Sequence, residues 1–290
     1  MKILKVFTCA AVILAMCLSL AGCGILPDIS FLRPSWTAEG SGAPQGKDGA
    51  PASGGEEAAE SFETDPGGTG TAPQLSGAAA GDVILFGHYE QDNDPENGPE
   101  PIEWLVLTAD GSRIFVVSLY ALDCQPFDED GNASGWRDCS LRSWLNTEFL
   151  NTAFTQEERN AIPTVDVPAG GNAYYQIDPD PRDNVRDRVF CLSEEEMHEY
   201  LDTDGDYHDT DPGYYCYSTL YAEAAGAATY PRDAPEEVAH FAGQCGYWLR
   251  NPSGEDLHAM TCTMGLISSF GLYYYITDSA VRPALWIIVG

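Results

Sequence analysis

Two apolar stretches near the C-terminus each carry one arginine among large hydrophobic residues: Tyr247-Trp248-Leu249-Arg250-Asn251-Pro252 and Ala280-Val281-Arg282-Pro283-Ala284-Leu285-Trp286. A guanidinium stays charged at any ordinary pH, so burying one requires a matched carboxylate or carbonyl groups. The pair therefore reads as two core strands whose arginines tie a domain together. Alternation puts Trp248 and Arg250 on one strand face, and Arg282 and Trp286 on another. Arg282 and Trp286, with Trp104 and Trp144, are expected to be structural. Trp248 and Arg250 are candidates for contact with an anion or a sugar.

The chain has 290 residues and divides by composition. Residues 1–22 have the form of an export signal: Lys2 and Lys5, then an apolar run from Val6 to Leu20 too short for a comfortable membrane span. The run ends in Leu20-Ala21-Gly22-Cys23, which resembles the lipobox of bacterial lipoproteins. That resemblance implies lipidation at Cys23 and an exported protein anchored to the outer face of the bacterial cell membrane. Residues 23–80 read as a disordered tether; Gly24 to Ala80 hold 11 Gly, 10 Ala, 6 Pro and 6 Ser, and no apolar period survives there. As a flexible coil it would separate its ends by roughly 40 Å. A globular domain is expected over 81–290.

The formal net charge of −31 argues against nucleic acid as a partner, because phosphates would be repelled. The only lysines are Lys2, Lys5 and Lys47; from Gly81 onward ten arginines face 37 acids. One use for such acidity is cation binding. Asp202, Asp204, Asp206, Asp209 and Asp211 alternate closely enough to converge on Ca²⁺. The EF-hand frame fails, however, since Tyr207 stands where its glycine belongs.

Within the domain, Asp82–Tyr89 reads as a first strand, and Ile102–Thr108 with Arg113–Leu119 as a hairpin. Leu141, Trp144, Leu145 and Phe149 line one helix face. Thr155-Gln156-Glu157-Glu158 and Ser193-Glu194-Glu195-Glu196 are capping boxes that open helices. A smaller helix is expected over Ser218–Ala228. Strands are expected near Tyr247–Arg250, Leu257–Met264, Ser268–Ile276 and Val281–Val289. Strands and helices do not alternate as βαβ units, which favours an α+β fold with mainly antiparallel sheet and a few short helices.

These landmarks together resemble an uncharacterised bacterial domain, the domain of unknown function 6273. The blocks that carry the resemblance are Phe86–Asp92, Pro101–Leu107, Leu141–Asn146, Val189–Glu196, Tyr221–Ala224, Trp248–Pro252 and Val281–Trp286. The C-terminal pattern is also similar to C-type-lectin-like folds, including those of formylglycine-generating enzymes. That similarity implies a Trp-bearing strand, a short hairpin and a final strand with an arginine closing the sheet. It brings no activity with it.

The catalytic signatures of nucleophile elbow, phosphate loop, dinucleotide glycines and His-Glu-x-x-His are missing. Six cysteines remain beyond Cys23, enough for three disulfides; Cys191, in an apolar strand, reads as a buried thiol. Trp136, Tyr273, Tyr274 and Tyr275 offer rigid area for a binding face. The expectation is a lipid-anchored extracytoplasmic surface protein with a non-catalytic domain that binds glycan, peptide or protein. The alternatives are a cell-envelope enzyme and a structural or transport-associated lipoprotein.

Overall fold

A computed structural model of the chain describes residues 75–202, 212–254 and 258–289. The expected signal over 1–22, Cys23, most of the tether, and Asp204, Asp206, Asp209 and Asp211 lie outside the described residues. No helix among the described residues is long and apolar enough to cross a membrane.

In chain order the strands are β1 (Val83–Tyr89), β2 (Glu100–Ala109), β3 (Arg113–Ser118), β4 (Tyr120–Ala121) and β5 (Asp123–Cys124). There follow β6 (Val165–Val167), β7 (Val185–Asp187), β8 (Val189–Cys191) and β9 (Tyr217–Ser218). The last five are β10 (Gly246–Pro252), β11 (His258–Thr263), β12 (Leu266–Tyr273), β13 (Ala280–Val281) and β14 (Pro283–Ile288). Two five-stranded sheets dominate, with orders β1-β2-β3-β14-β8 and β12-β11-β10-β13-β5. Neighbours are antiparallel except β10 and β13, which pair in parallel through Tyr247 and Ala280, and the short pair β4–β9.

Burial explains the sequence pattern of each strand. β2 borders the edge strand and alternates, burying Ile102, Trp104 and Val106. β3 and β14 are central and buried along most of their length, so they read as nearly continuous apolar runs. The hairpin between β2 and β3 closes at Ala109 opposite Ile114, with Gly111 at φ 84° in its turn.

Ser140–Ala153 is one helical stretch: α1 (Ser140–Trp144), a π turn at Leu145–Phe149, and α2 (Leu150–Ala153). Rings of this stretch and just after it cover the first sheet, with Phe149 against Tyr89, and Phe154 against Phe86 and Trp104. Trp104 is fully buried and donates its indole N–H to the Phe86 carbonyl at 2.7 Å, while Trp144 rests on Phe149. Both capping boxes form, opening α3 (Gln156–Ala161) and α4 (Glu194–Tyr200). The helix expected over Ser218–Ala228 is shorter, α5 (Leu220–Ala224), because Gly226 takes φ 120° and ends it.

The strand expected over Val281–Val289 is in fact two. β13 belongs to the second sheet and β14 to the first, so the chain changes sheet at Arg282. The earlier passage from β3 to β5 makes the same change nearby. Arg282 is buried at this crossing, donating Nε to the Ser118 carbonyl at 3.0 Å and Nη1 to the Tyr247 hydroxyl at 3.3 Å. Trp286 stacks on Phe115 at 5.0 Å and carries the Arg113 guanidinium on its ring. Because Arg282 and Trp286 lie on either side of the break, strict alternation does not relate them.

Candidate functional site

Two neighbouring cavities share Arg137 as a wall. The first, about 380 Å³, runs between the α1–π segment and β7 with the residue that follows it. The helix contributes Arg142, Ser143, Asn146 and Thr147; the opposite wall contributes Arg186, Asp187 and Arg188.

Asn146, in the π turn, joins these walls. Its Oδ1 accepts the backbone N–H groups of Arg188 at 2.9 Å and Val189 at 3.3 Å. Its Nδ2 donates to the carbonyls of Arg142 at 3.0 Å and Val189 at 2.8 Å. Asp187 is buried behind the wall, where Arg142 Nε reaches both its oxygens at 2.9 Å and Trp136 donates at 3.1 Å. Arg188 donates Nε to the Ile162 carbonyl at 3.0 Å. Burial, and the charge of Arg159, make Arg188 easier to deprotonate than a free guanidinium. Cys139 borders the cavity, but burial pushes its thiol up to about 12, so it is a poor nucleophile.

The second cavity, about 220 Å³, is lined by Trp136, Arg250, Ile177, Pro252 and three acids, Asp178, Asp180 and Asp183. It brings together two of the residues expected to bind ligand, but neither is free to do so with its polar groups. Trp136 is buried and its N–H belongs to Asp187. Arg250 is buried and held by the carbonyls of Pro168 and Cys191 and by Glu196, at 2.5 and 2.8 Å. Arg250 is thus the buried, carboxylate-matched arginine that the sequence required, and a tie between β10 and α4.

Two further expected binding residues require correction. Trp248 is fully buried, rests on Phe127 and donates its N–H to the Gln125 carbonyl. Tyr274 also faces inward and stacks on Phe127 at 4.8 Å. A period of two separates it from its neighbours: Tyr273 is 48% exposed and Tyr275 55%, stacked on each other at 5.2 Å. On the edge strand β12, which ends at Tyr273, Phe270 is 57% exposed and touches the rings of Tyr174, itself 65% exposed, and Tyr175. Sequence reasoning missed Phe270, Tyr174 and Tyr175.

Among the described residues, Glu90, Asp92 and Glu100 set three carboxylate oxygens within 4.8 Å of one another, an arrangement able to hold a cation. Burial and the neighbouring Glu100 raise the carboxyl of Glu90 above the usual range. A further carboxylate, Asp123, is buried and takes the Tyr89 hydroxyl at 2.5 Å; burial raises it. It lines neither cavity. All six cysteines of the domain are free and buried.

Comparison with curated proteins and with solved structures returns no match. A family profile, the domain of unknown function (DUF6273), matches residues 104–289, from β2 through β14. That span holds both cavities, both buried arginines and the aromatic edge, and the chain belongs to this family.

Proposed function

We propose that this protein is an exported, lipid-anchored surface protein whose domain binds a cell-wall glycan without transforming it. In this reading residues 1–22 direct export, Cys23 carries the lipid, and the tether up to residue 80 lifts the domain off the outer face of the membrane. The observation that carries it is the exposed rings of β12 and the turn after it: Phe270 with Tyr174, and Tyr273 stacked on Tyr275, leave large aromatic area in solvent. Exposed aromatic surface marks contact sites, and rings offer a face on which the apolar side of a sugar can stack. A C-type-lectin-like architecture is supported by the pairing of the Trp-bearing β10 with β13, beside the β11–β12 hairpin.

Binding by the full chain on an array of glycans and cell-wall fragments tests the reading. A saturable signal is expected, reduced about tenfold or more by Phe270→Ala with Tyr273→Ser. Equal binding by that variant, or release of cleaved sugar from the array, would overturn it.

A further inference from the structure

We propose that the cavity between the α1–π segment and β7 is a binding site for an oxyanion, a phosphate or carboxylate group carried on a small ligand. Arg186 and Arg188 supply the forks that hold it. None of the aromatic residues of the β12 edge takes part, so this site stands or falls apart from the glycan reading.

Charge is the first argument. From Gly81 onward the chain has ten arginines and no lysine, and four of the ten line this one cavity: Arg137, Arg142, Arg186 and Arg188. Asp187 and Asp138 also line it, while Arg137 pairs with Asp183 and Arg186 with Asp166, each at 3.4 Å and exposed. Asp187 is occupied by Arg142 and Trp136, and Asp138 accepts the Ser134 hydroxyl and N–H. Among the described residues Arg188 alone of the four meets no acid, and the exposed pairs of Arg137 and Arg186 are weak, so positive charge can be drawn on here in an otherwise acidic domain.

Arg188 is the second argument. It is half-buried, and its Nε is used by the Ile162 carbonyl. Among the described residues no carboxylate lies within ion-pair distance of it, and its two terminal nitrogens make no hydrogen bond. A partly desolvated cation without a counter-charge is costly, and an anion entering the cavity would remove that cost. Arg186 stands two residues away and lines the same cavity, roughly 7 Å along an extended chain. Its contact with Asp166 is 3.4 Å long and exposed, 70% and 90% for the two side chains, and is easily given up.

Rigidity and size are the third. Asn146 clamps the backbone of Arg188 and Val189 to the helix, and the Ile162 carbonyl holds Arg188 Nε, so this arginine is positioned before any ligand arrives. A volume near 380 Å³ suits a small ligand. The acidic surroundings would repel a long polyanion, which narrows the ligand to one compact enough to be judged by this cavity alone.

The test is titration of the full chain with inorganic phosphate and, separately, with citrate, followed by calorimetry and thermal shift. Saturable binding of either anion is expected; the arm that binds more tightly assigns the group. Arg186→Ala removes an exposed side chain and should weaken binding about tenfold or more, the loss of one charge-assisted fork. Arg188→Lys keeps the charge but not the fork and should weaken it similarly. If Arg188→Lys does not fold, Arg186→Ala decides alone. Absence of heat and of thermal shift with both anions at tens of millimolar, or binding unchanged by Arg186→Ala, would overturn the proposal.

Discussion

Replacing Glu196 by Gln should destabilise the domain far more than a surface substitution does. Glu196 sits at the third position of α4, where its carboxylate accepts the Ser193 backbone N–H at 3.0 Å and closes the capping box. The same carboxylate takes both terminal nitrogens of Arg250, whose side chain is 3% exposed against 20% for Glu196. Glutamine preserves the size and still offers an oxygen to Ser193, so the cap is largely spared. What is lost is the counter-charge of a buried guanidinium. Stranding such a charge costs about 3–5 kcal/mol. Partial exposure of Glu196 and the remaining carbonyls of Pro168 and Cys191 soften this, so about 3 kcal/mol is expected. For a domain of this size that is a fall of roughly 10 °C in melting temperature. The assay is urea denaturation followed by circular dichroism, with the pair Arg250→Met and Glu196→Leu as a double-mutant cycle. The double variant should lose less than the sum of its singles, because removing both charges strands neither. A Glu196→Gln loss below about 1 kcal/mol, the worth of an exposed pair, would refute the reasoning.

Gly87 sits at φ 73° in the bulge between Leu85 and His88, and a Cβ there would lie 2.6 Å from the Phe154 ring and 2.7 Å from the Ala153 carbonyl. Gly87→Ala should cost about 2 kcal/mol or more by urea denaturation, and a neutral result would mean that the bulge relaxes freely. Burial pushes the thiols of Cys124, Cys139 and Cys262 up to about 12, so in the folded protein at pH 8 these three should resist iodoacetamide, read by peptide mapping, until guanidinium is added. Cys216 and Cys245 stand opposite each other, next to the Tyr217–Gln244 bridge, with the Cys245 N–H on the Cys216 carbonyl at 3.0 Å. Refolding with glutathione disulfide should link these two, and peptide mapping that finds scattered pairings would contradict the register. Burial raises the Asp123 carboxyl, so the folded state binds its proton more tightly than the unfolded chain does. Its contribution is fully present below the unfolded value and is lost as pH rises through the folded one. Relative to Asp123→Asn, the parent should therefore lose stability from the ordinary carboxylate range upward, and parallel pH profiles of the two would rule this out.

What was legible in the sequence is what local physics decides. The capping boxes at Thr155 and Ser193 declare themselves over four residues, because donor and acceptor lie within one helical turn. The β2–β3 hairpin is equally local. The need of Arg250 for a counter-charge was legible, but its partner was not, since Glu196 lies 54 residues away and already has a sufficient role at the helix start. Arg282 shows the opposite limit: the apolar run through it looks like one strand, yet Pro283 has no N–H for a ladder and the chain leaves one sheet for the other there. The exposed aromatic surface was half legible. A period of two splits Tyr273 and Tyr275 from Tyr274, whereas Tyr174 and Tyr175 reach Phe270 only through the fold. The arginine cavity had a signal that went unused: in Val185-Arg186-Asp187-Arg188-Val189 the buried valines and aspartate alternate with arginines that both line one cavity. In a domain without lysine, an arginine has few tasks, and most here are answered by a carboxylate or carbonyl at hand. Arg188 spends one nitrogen on a carbonyl and meets no carboxylate among the described residues, and that remainder is the part of the pattern packing alone does not explain.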